Sequence, residues 1–379
     1  MIFFPHRYNQ QTSSSRAIPA AMNDSIDDYN YTYSYDLDYG DIDDIRAEHS
    51  QTEPMHIFSV VIYIISFMLG VIGNGAVIWV MAFKCKKRVN SVWLLNLAIA
   101  DFVFVLFLPF FIDYIMRDFH WKFGVAMCKI NSFVSVMNMY ASVLFLTVLS
   151  IDRYVSVVHL NWCQKYRTIS RAWFACGCIW GLAATLSSPA LIFRDTMILG
   201  DKVVCFNNFH THDPHVAAMR HITIVIIRTT VGFLLPLTAI SVTGILLIVK
   251  MKQSGSSVQL SSFSKTVTAV ILAFFLCWTP FHTFSLMELT IHSSPYLHNL
   301  LKTGFPLATS LGFFNSCVNP LLYMFLTKKV RNIIKQACLD ITKNSLREFS
   351  QSISATEIES VAGVYENGVH GEHLASSTI

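Results

Sequence analysis

An all-α membrane protein, built as a seven-transmembrane helix bundle, is the fold class this sequence predicts, on three observations. Of 379 residues, 53% are hydrophobic and only 14% charged, with a mean hydropathy of +0.47; charged residues make up about a quarter of a soluble globular chain. The apolar residues fall in long blocks rather than in one-sided stripes, and a bilayer core takes about 20 apolar residues per helix. Seven such blocks run near 57–83, 92–115, 125–157, 171–193, 220–249, 266–291 and 300–326. This composition makes the membrane, not nucleic acid, the partner of most of the chain.

An odd number of spans puts the two termini on opposite sides of the bilayer, and basic residues mark the inner side. The stretch KCKKRVN (84–90) follows the first span. Lys165, Arg167 and Arg171 lie between spans three and four, and Lys250, Lys252 and Lys265 flank the loop after span five. Lys328, Lys329, Arg331 and Lys335 follow the last span. The N-terminus is therefore expected outside a plasma membrane and the C-terminus in the cytosol. Four segments follow: an extracellular, disordered tail (1–54), the seven-span bundle (55–326), a short amphipathic eighth helix (327–339) and a disordered cytoplasmic tail (340–379). Pro5 cuts short any secretory signal at MIFF, so the first span is expected to act as its own targeting signal.

Residues 1–53 carry ten acids against Arg7, Arg16 and Arg46, a net −7 in a chain whose total is +4. Such a split says that the tail and the body face different surroundings. Tyr29, Tyr31, Tyr33, Tyr35 and Tyr39 are threaded among these acids, the setting in which tyrosines are sulfated. The tract can serve to attract a basic ligand or simply be a solvated tail. Asn23 and Asn30 begin glycosylation sequons on this outer side. Of nine cysteines, only Cys128 and Cys205 lie on the oxidising side, so they are predicted to bridge. Closing so long a loop contributes about 4–5 kcal/mol as a chain-entropy upper figure. Cys85, Cys163 and Cys338 face the cytosol; Cys338, beside the basic amphipathic stretch, suits palmitoylation or a free thiol equally.

Polar residues inside spans are where function is sought, because lipid makes them costly unless they face a partner or a cavity. Asp101 sits halfway down span two. Asn74 in span one, Asn138 and Ser142 in span three, and Asn315 and Asn319 in span seven share that level. Two readings fit this set: a hydrated cluster holding a cation such as Na⁺, or a hydrogen-bond network that knits the helices. No other cofactor is required. Arg228, eight residues before Pro236, lies in the outer half of span five, where it cannot easily snorkel. Arg194 ends span four, and Glu288 lies about two turns outward of Pro280 on span six. Pro280 beside Trp278, and Pro320 in NPLLY, free carbonyls and bend their helices.

At SIDRYVSV (150–157), with GNGAV (73–77), LNLAIAD (95–101), CWTPFH (277–282) and NPLLY (319–323) in order, the chain resembles a rhodopsin-like G-protein-coupled receptor. Within that class it resembles the chemoattractant receptors, and most nearly the chemerin receptor family. The stretches RDFHWKFGVAMCKINSF (117–133), SSPALIFRDT (187–196), CFNNFHTHDP (205–214) and FSLMELTIH (284–292) carry that likeness.

The resemblance implies a β-hairpin in the second outer loop and a receptor for chemerin, a basic chemoattractant and adipokine. The ligand's carboxy-terminal peptide would meet Arg194, Arg228 and Glu288. Phe274, Trp278, Pro280, Asn319, Pro320 and Tyr323 would form the activation switch. Asp152, Arg153 and Tyr154 would couple to a G protein of the inhibitory class, with Arg153 paired to Asp152 at rest. Phosphorylation at Ser345, Ser350, Ser352, Ser354 and Thr356 would recruit arrestin.

Two departures stand against the family pattern. Gly244 occupies the position, eight after Pro236, where a tyrosine is usual, and no acid lies near the inner end of span six. A ligand-scavenging receptor with little G-protein output therefore stays open. A retinal photoreceptor would need a lysine deep in span seven, where Phe313 and Phe314 stand, and Lys302 is too near the outer end. A membrane metalloenzyme would need converging ligands, and His210, His212 and His215 lie together only in an outer loop.

Overall fold

The structure, a computed structural model, describes residues 41–85, 87–209, 213–253, 262–289 and 295–326, with isolated positions from 332 to 347. Span one is α1 (Asp41–Trp79), continued by a π-helical turn, Val80–Lys84; spans two and three are α2 (Val89–Met116) and α3 (Gly124–Val158). A short α4 (Leu160–Tyr166) leads to span four, which is α5 (Ile169–Ser187) with α6 (Pro189–Phe193). Strands β1 (Arg194–Leu199) and β2 (Lys202–Asn207) then form an antiparallel hairpin in which Arg194 faces Asn207 and Thr196 faces Cys205. Span five is α7 (Pro214–Thr229), a π turn at Thr230–Leu234 and α8 (Leu235–Gln253). Spans six and seven are α9 (Ser262–Glu288) and α10 (Pro295–Leu326).

Six of these segments are long and apolar enough to cross a bilayer: His56–Lys84, Val89–Met116, Gly124–Val158, Ile169–Phe193, His215–Lys250 and Lys265–Glu288. Each matches an expected block to within a few residues, and α10 covers the seventh. Helices are the form in which every backbone polar group is satisfied within its own segment, as lipid requires. Large apolar side chains such as Ile72, Phe174 and Leu276 stay 67%, 76% and 71% exposed, facing where lipid would be. Helix α1 begins at Asp41, well inside the segment expected to be disordered up to residue 54. Asp41, Asp43 and Asp44 stand in its first turn, where the helix dipole favours acids. Residues 1–40, the eighth helix expected at 327–339 and the tail beyond lie outside the described residues, isolated positions apart.

Close contacts fix how the spans lie. A Cβ on Gly73 would meet Pro320 Cγ at 2.7 Å, so spans one and seven touch backbone to ring. Gly304 stands the same way under Phe284 of span six, 2.5 Å from its Cζ, and Gly312 under Trp278, 3.2 Å from its Cε3. In span five the π turn comes just before Pro236 and presses Gly232 against Met139 and Tyr140 of span three. Asn96 of span two accepts a 3.0 Å hydrogen bond from Trp180 Nε1 of span four.

One end of the bundle is tied down. Cys128 and Cys205 form the predicted disulfide across 77 residues, with Cα atoms 5.8 Å apart. Beside it Trp121 is 2% exposed and stacks edge-on with Tyr114 and Phe123. Its backbone N–H donates to Val203 of the hairpin at 2.7 Å. The turn that delivers Trp121 carries positive φ at Asp118 (53°) and Phe119 (61°), a conformation non-glycine residues resist, and Lys202 of the hairpin pairs with Asp118.

The glycine contacts give a direct test. Gly73→Val must push Pro320 aside and is expected to cost roughly 1–3 kcal/mol. Gly177→Ala, with nothing within 4 Å of its new Cβ, is expected to be near neutral. Thermal melts of the two purified variants should separate clearly; equal melting would mean spans one and seven are not in tight contact.

Candidate functional site

The disulfide end of the bundle gathers two buried cations. Arg194, the first residue of β1, and Arg228, two residues before the π turn of span five, are 9% and 5% exposed. Arg228 Nη2 donates to Ser285 Oγ of span six at 3.2 Å, and its guanidinium lies 4.9 Å from the centre of the Phe281 ring. The two guanidiniums are close enough for their charges to interact. Burial, opposed by Tyr114 and reinforced by Arg228, lowers the Arg194 pKa to about 10, so it remains a cation at neutral pH. Two like charges held out of water favour an anion between them, and a fork-shaped guanidinium suits a carboxylate.

Glu288 lies close enough to Arg228 for their charges to attract. Its Oε1 lies 3.1 Å from His221 Nε2 on span five. His221 stacks on Phe209 at 5.5 Å, and Phe209 meets Phe193 of span four at 5.3 Å. Glu288 thus belongs to a rim that joins spans four, five and six and the strand-to-helix connection. His221 and Ser285 were not singled out in the sequence; their partners, Glu288 and Arg228, each lie on the other span, so spacing along one helix carries no signal for them.

Further along span six, the residues expected to form the switch pack together. Phe274 (0% exposed) and Trp278 (5%) lie with ring centres 6.0 Å apart, and Pro280 sits within the same helix. His282 joins them to span five, its ring 6.3 Å from Trp278 and its Nδ1 3.4 Å from Thr229 Oγ1. A continuous line of contacts therefore runs from Arg228 through its neighbour Thr229 and His282 to Trp278.

Deeper still, Asp101 is fully buried. Asn319 Nδ2 donates to its Oδ2 at 2.7 Å and Ser142 Oγ to its Oδ1 at 3.4 Å. Asn138, with its amide turned to satisfy its neighbours, donates to Oδ1 at 3.2 Å and accepts from Ser316 Oγ at 2.8 Å. Asn315 is buried, but its Oδ1 has no hydrogen-bond partner among the described residues. Asn74 lies beside the set and donates to the carbonyls of Gly70 and Ser316, at 3.0 and 2.9 Å. Ser316, which the sequence reading passed over, stands three residues before Asn319 and so on the same helix face. The carboxylate and the oxygens of Asn138, Ser142 and Asn319 are donors a hard cation would accept.

At the opposite end, Asp152 takes 2.8 and 2.7 Å hydrogen bonds on its two oxygens from Arg167, not the simple pairing with Arg153 that adjacency suggests. Tyr154 packs against His159 with ring centres 6.1 Å apart. A Cβ at Gly244 would meet nothing within 4 Å. Among the described residues no group of three or more His, Cys, Asp or Glu side chains could hold a metal ion. Tyr29, Tyr31, Tyr33, Tyr35, Tyr39, Asn23, Asn30, His210 and His212, together with the side chain of Tyr323, lie outside the described residues.

Comparison with known proteins agrees with this geometry. The family described as 7 transmembrane receptor (rhodopsin family) matches residues 73–323. Chemerin-like receptor 2 of Macaca mulatta is 43% identical over 325 residues, covering 86% of this chain and 91% of the relative. The human chemerin-like receptor 2 is 42% identical over the same shares. Chemerin-like receptor 1 of Homo sapiens is 40% identical over 339 residues, 85% of this chain and 90% of the relative. These relatives are receptors, not enzymes.

Proposed function

The chain belongs to the rhodopsin family of seven-transmembrane receptors and within it to the chemerin-like receptors, and from that premise we propose that it is a plasma-membrane receptor for chemerin or a related basic chemoattractant protein. The observation that carries the proposal is the pair of buried guanidiniums, Arg194 and Arg228, near one another at the disulfide end. With the N-terminus outside, the acidic tract of residues 24–44 draws a basic protein toward that end, an effect that speeds encounter and weakens with salt. The ligand's carboxy-terminal peptide enters, and its carboxylate takes the place between the two arginines. Glu288, already paired with His221, reads the basic or hydrogen-bonding part of the same peptide from the rim.

A ligand shifts a receptor only through unequal affinity for its states. Drawing Arg228 toward a carboxylate moves Thr229 and His282, which bear on Trp278, and span six then pivots about Pro280. Arg153 and Tyr154 are thereby presented to a heterotrimeric G protein of the inhibitory class. Arrestin follows through the serines and threonine of residues 345–356. Asp101, Asn138, Ser142 and Asn319 hold Na⁺ in the resting state, and Asn315 closes around it. A second reading, a scavenging or arrestin-biased receptor, is favoured by the open space at Gly244, where no hydroxyl is present to steady the opened inner end.

Saturation binding of labelled chemerin to intact cells should weaken by about tenfold or more for Arg228→Ala and Arg194→Ala, the loss expected of a buried charged pair. Deletion of residues 22–44 should weaken it less, with a shallower salt dependence. Binding that no arginine change affects would remove the carboxylate reading.

Guanine-nucleotide exchange stimulated by chemerin should disappear with Arg153→Ala, while truncation after Asp340 should remove arrestin recruitment alone. Exchange absent from the unaltered receptor, with binding intact, would leave the scavenging reading. Raising Na⁺ should lower agonist affinity, and Asp101→Asn should abolish that dependence; a dependence that survives Asp101→Asn would place the cation elsewhere.

A further inference from the structure

The turn before span two and the turn before span four form a basic junction at the end of the bundle opposite the disulfide. Neither 80–100 nor 153–194 contains an Asp or Glu, while Lys87, Arg88, Lys165, Arg167 and Arg171 fall within them. The fold sets these two turns side by side. Arg167 Nη2 donates to Asn90 Oδ1, two residues after Arg88. Further into the bundle the Asn96–Trp180 bond holds the same two spans together. Arg167 also grips Asp152, Nε to Oδ1 at 2.8 Å and Nη2 to Oδ2 at 2.7 Å, so that carboxylate neutralises one guanidinium of the group. Lys87, Arg88, Lys165 and Arg171 are exposed, and none of them pairs with a carboxylate among the described residues.

Arg171 is held in place by its surroundings. Its Nη1 donates to the carbonyl of Tyr166 at 3.2 Å, and its guanidinium lies 5.0 Å from the centre of the Tyr166 ring. The Lys165 ammonium lies 5.2 Å from the same ring, so one aromatic side chain carries two cations. Along span four the face that Arg171 begins is apolar and open. Phe174, Cys178 and Leu182 stand three, seven and eleven residues on, and Phe174 and Leu182 are 76% and 48% exposed. Trp173, 47% exposed beside them, suits the interfacial depth at which indoles anchor. Basic loop residues alone follow from the positive-inside rule. Convergence of two turns over an open apolar face does not.

We propose that this junction binds the headgroup of an inner-leaflet phospholipid bearing several phosphates, a polyphosphoinositide, whose acyl chains lie along the Phe174–Leu182 face of span four. A head with a single negative charge answers only one of the four unpaired cations. A multiply phosphorylated ring answers cations from both turns, and guanidiniums suit phosphate oxygens by their paired donors. Bound there, the lipid ties the start of span two to the start of span four, alongside the Arg167–Asn90 bond. The inference rests on the cytosolic placement of this end and on nothing in the chemerin reading.

The test titrates full-length receptor in detergent micelles with fluorescent short-chain phosphatidylinositol bisphosphate. Binding should saturate and be about tenfold or more tighter than that of short-chain phosphatidylserine. Inositol trisphosphate, the head without acyl chains, should bind more weakly; equal binding would make the ligand a soluble phosphate and overturn the lipid. Arg88→Gln with Arg171→Gln should weaken lipid binding about tenfold or more. Lys250→Gln with Lys252→Gln, and Lys328→Gln with Lys329→Gln, remove as much charge from the same side and should leave it within about twofold. An equal loss in all three pairs would be diffuse attraction to a basic surface and would overturn the site. A photoactivatable analogue of the same lipid, which needs no variant, should label the unaltered receptor within residues 84–90 and 162–174. Labelling confined to other segments overturns the proposal. An N-terminal epitope stained on intact cells places the junction in the cytosol, as required; staining only after permeabilisation overturns the inner-leaflet source.

Discussion

A carboxylic acid in the middle of a bilayer constrains everything around it. Asp101 is fully buried within span two, and stripping an ionised or even a hydrogen-bonding group of water costs several kcal/mol unless partners replace that water. Those partners come from spans three and seven: Asn138, Ser142 and Asn319. Three helices distant in sequence must therefore converge at one depth. Gly73 under Pro320 lays span one against span seven, and Gly312 under Trp278 lays span six against it. Spans one, two, three and seven become a fixed frame, and span four joins it through the Asn96–Trp180 bond.

Span six packs on span seven of the frame through Gly304 under Phe284 and Gly312 under Trp278. Span five joins span six through Arg228 to Ser285 and Thr229 to His282, and the frame through Ser150 to Thr243. The π turn at Thr230–Leu234 and Pro280 interrupt the regular backbone ladder in the same two helices. The disulfide end is meanwhile closed by Cys128–Cys205, by Trp121 in its aromatic box and by the ion pair that holds the Asp118–Phe119 turn. Motion in such a molecule concentrates away from the tied end, which is where a cytosolic partner would need it.

Much of this was legible from residue order. Lipid imposes a length and a polarity on each span, so the spans could be placed to within a few residues. The disulfide followed because only two cysteines lay on one side of the positive-inside topology. Asp101 with Asn319 could be anticipated because each is intolerable alone in lipid. Pairing among charges was less legible. Asp152 lies next to Arg153 in the chain, yet its oxygens go to Arg167, because a loop cation fifteen positions away can present its fork squarely while an adjacent helical residue points around the cylinder. Glu288 likewise goes to His221, and nothing in FSLMELTIH names that histidine. The helix at Asp41 was missed for another reason: an acidic run was read as a solvated tail, when at a helix start acids are favourable.

The two guanidiniums at the mouth also bear on what medicinal chemistry can achieve here. Under the proposed ligand mode, potency of a compact compound at these two buried cations would select for carboxylates, tetrazoles or acyl sulfonamides. Such acids are ionised in plasma and meet a steep barrier in crossing lipid. They would remain largely on the side of the cell from which they are given, barred from passive entry to the brain and dependent on transporters for gut uptake. Under that mode, oral, centrally acting drugs would have to leave the two arginines for another surface of the protein.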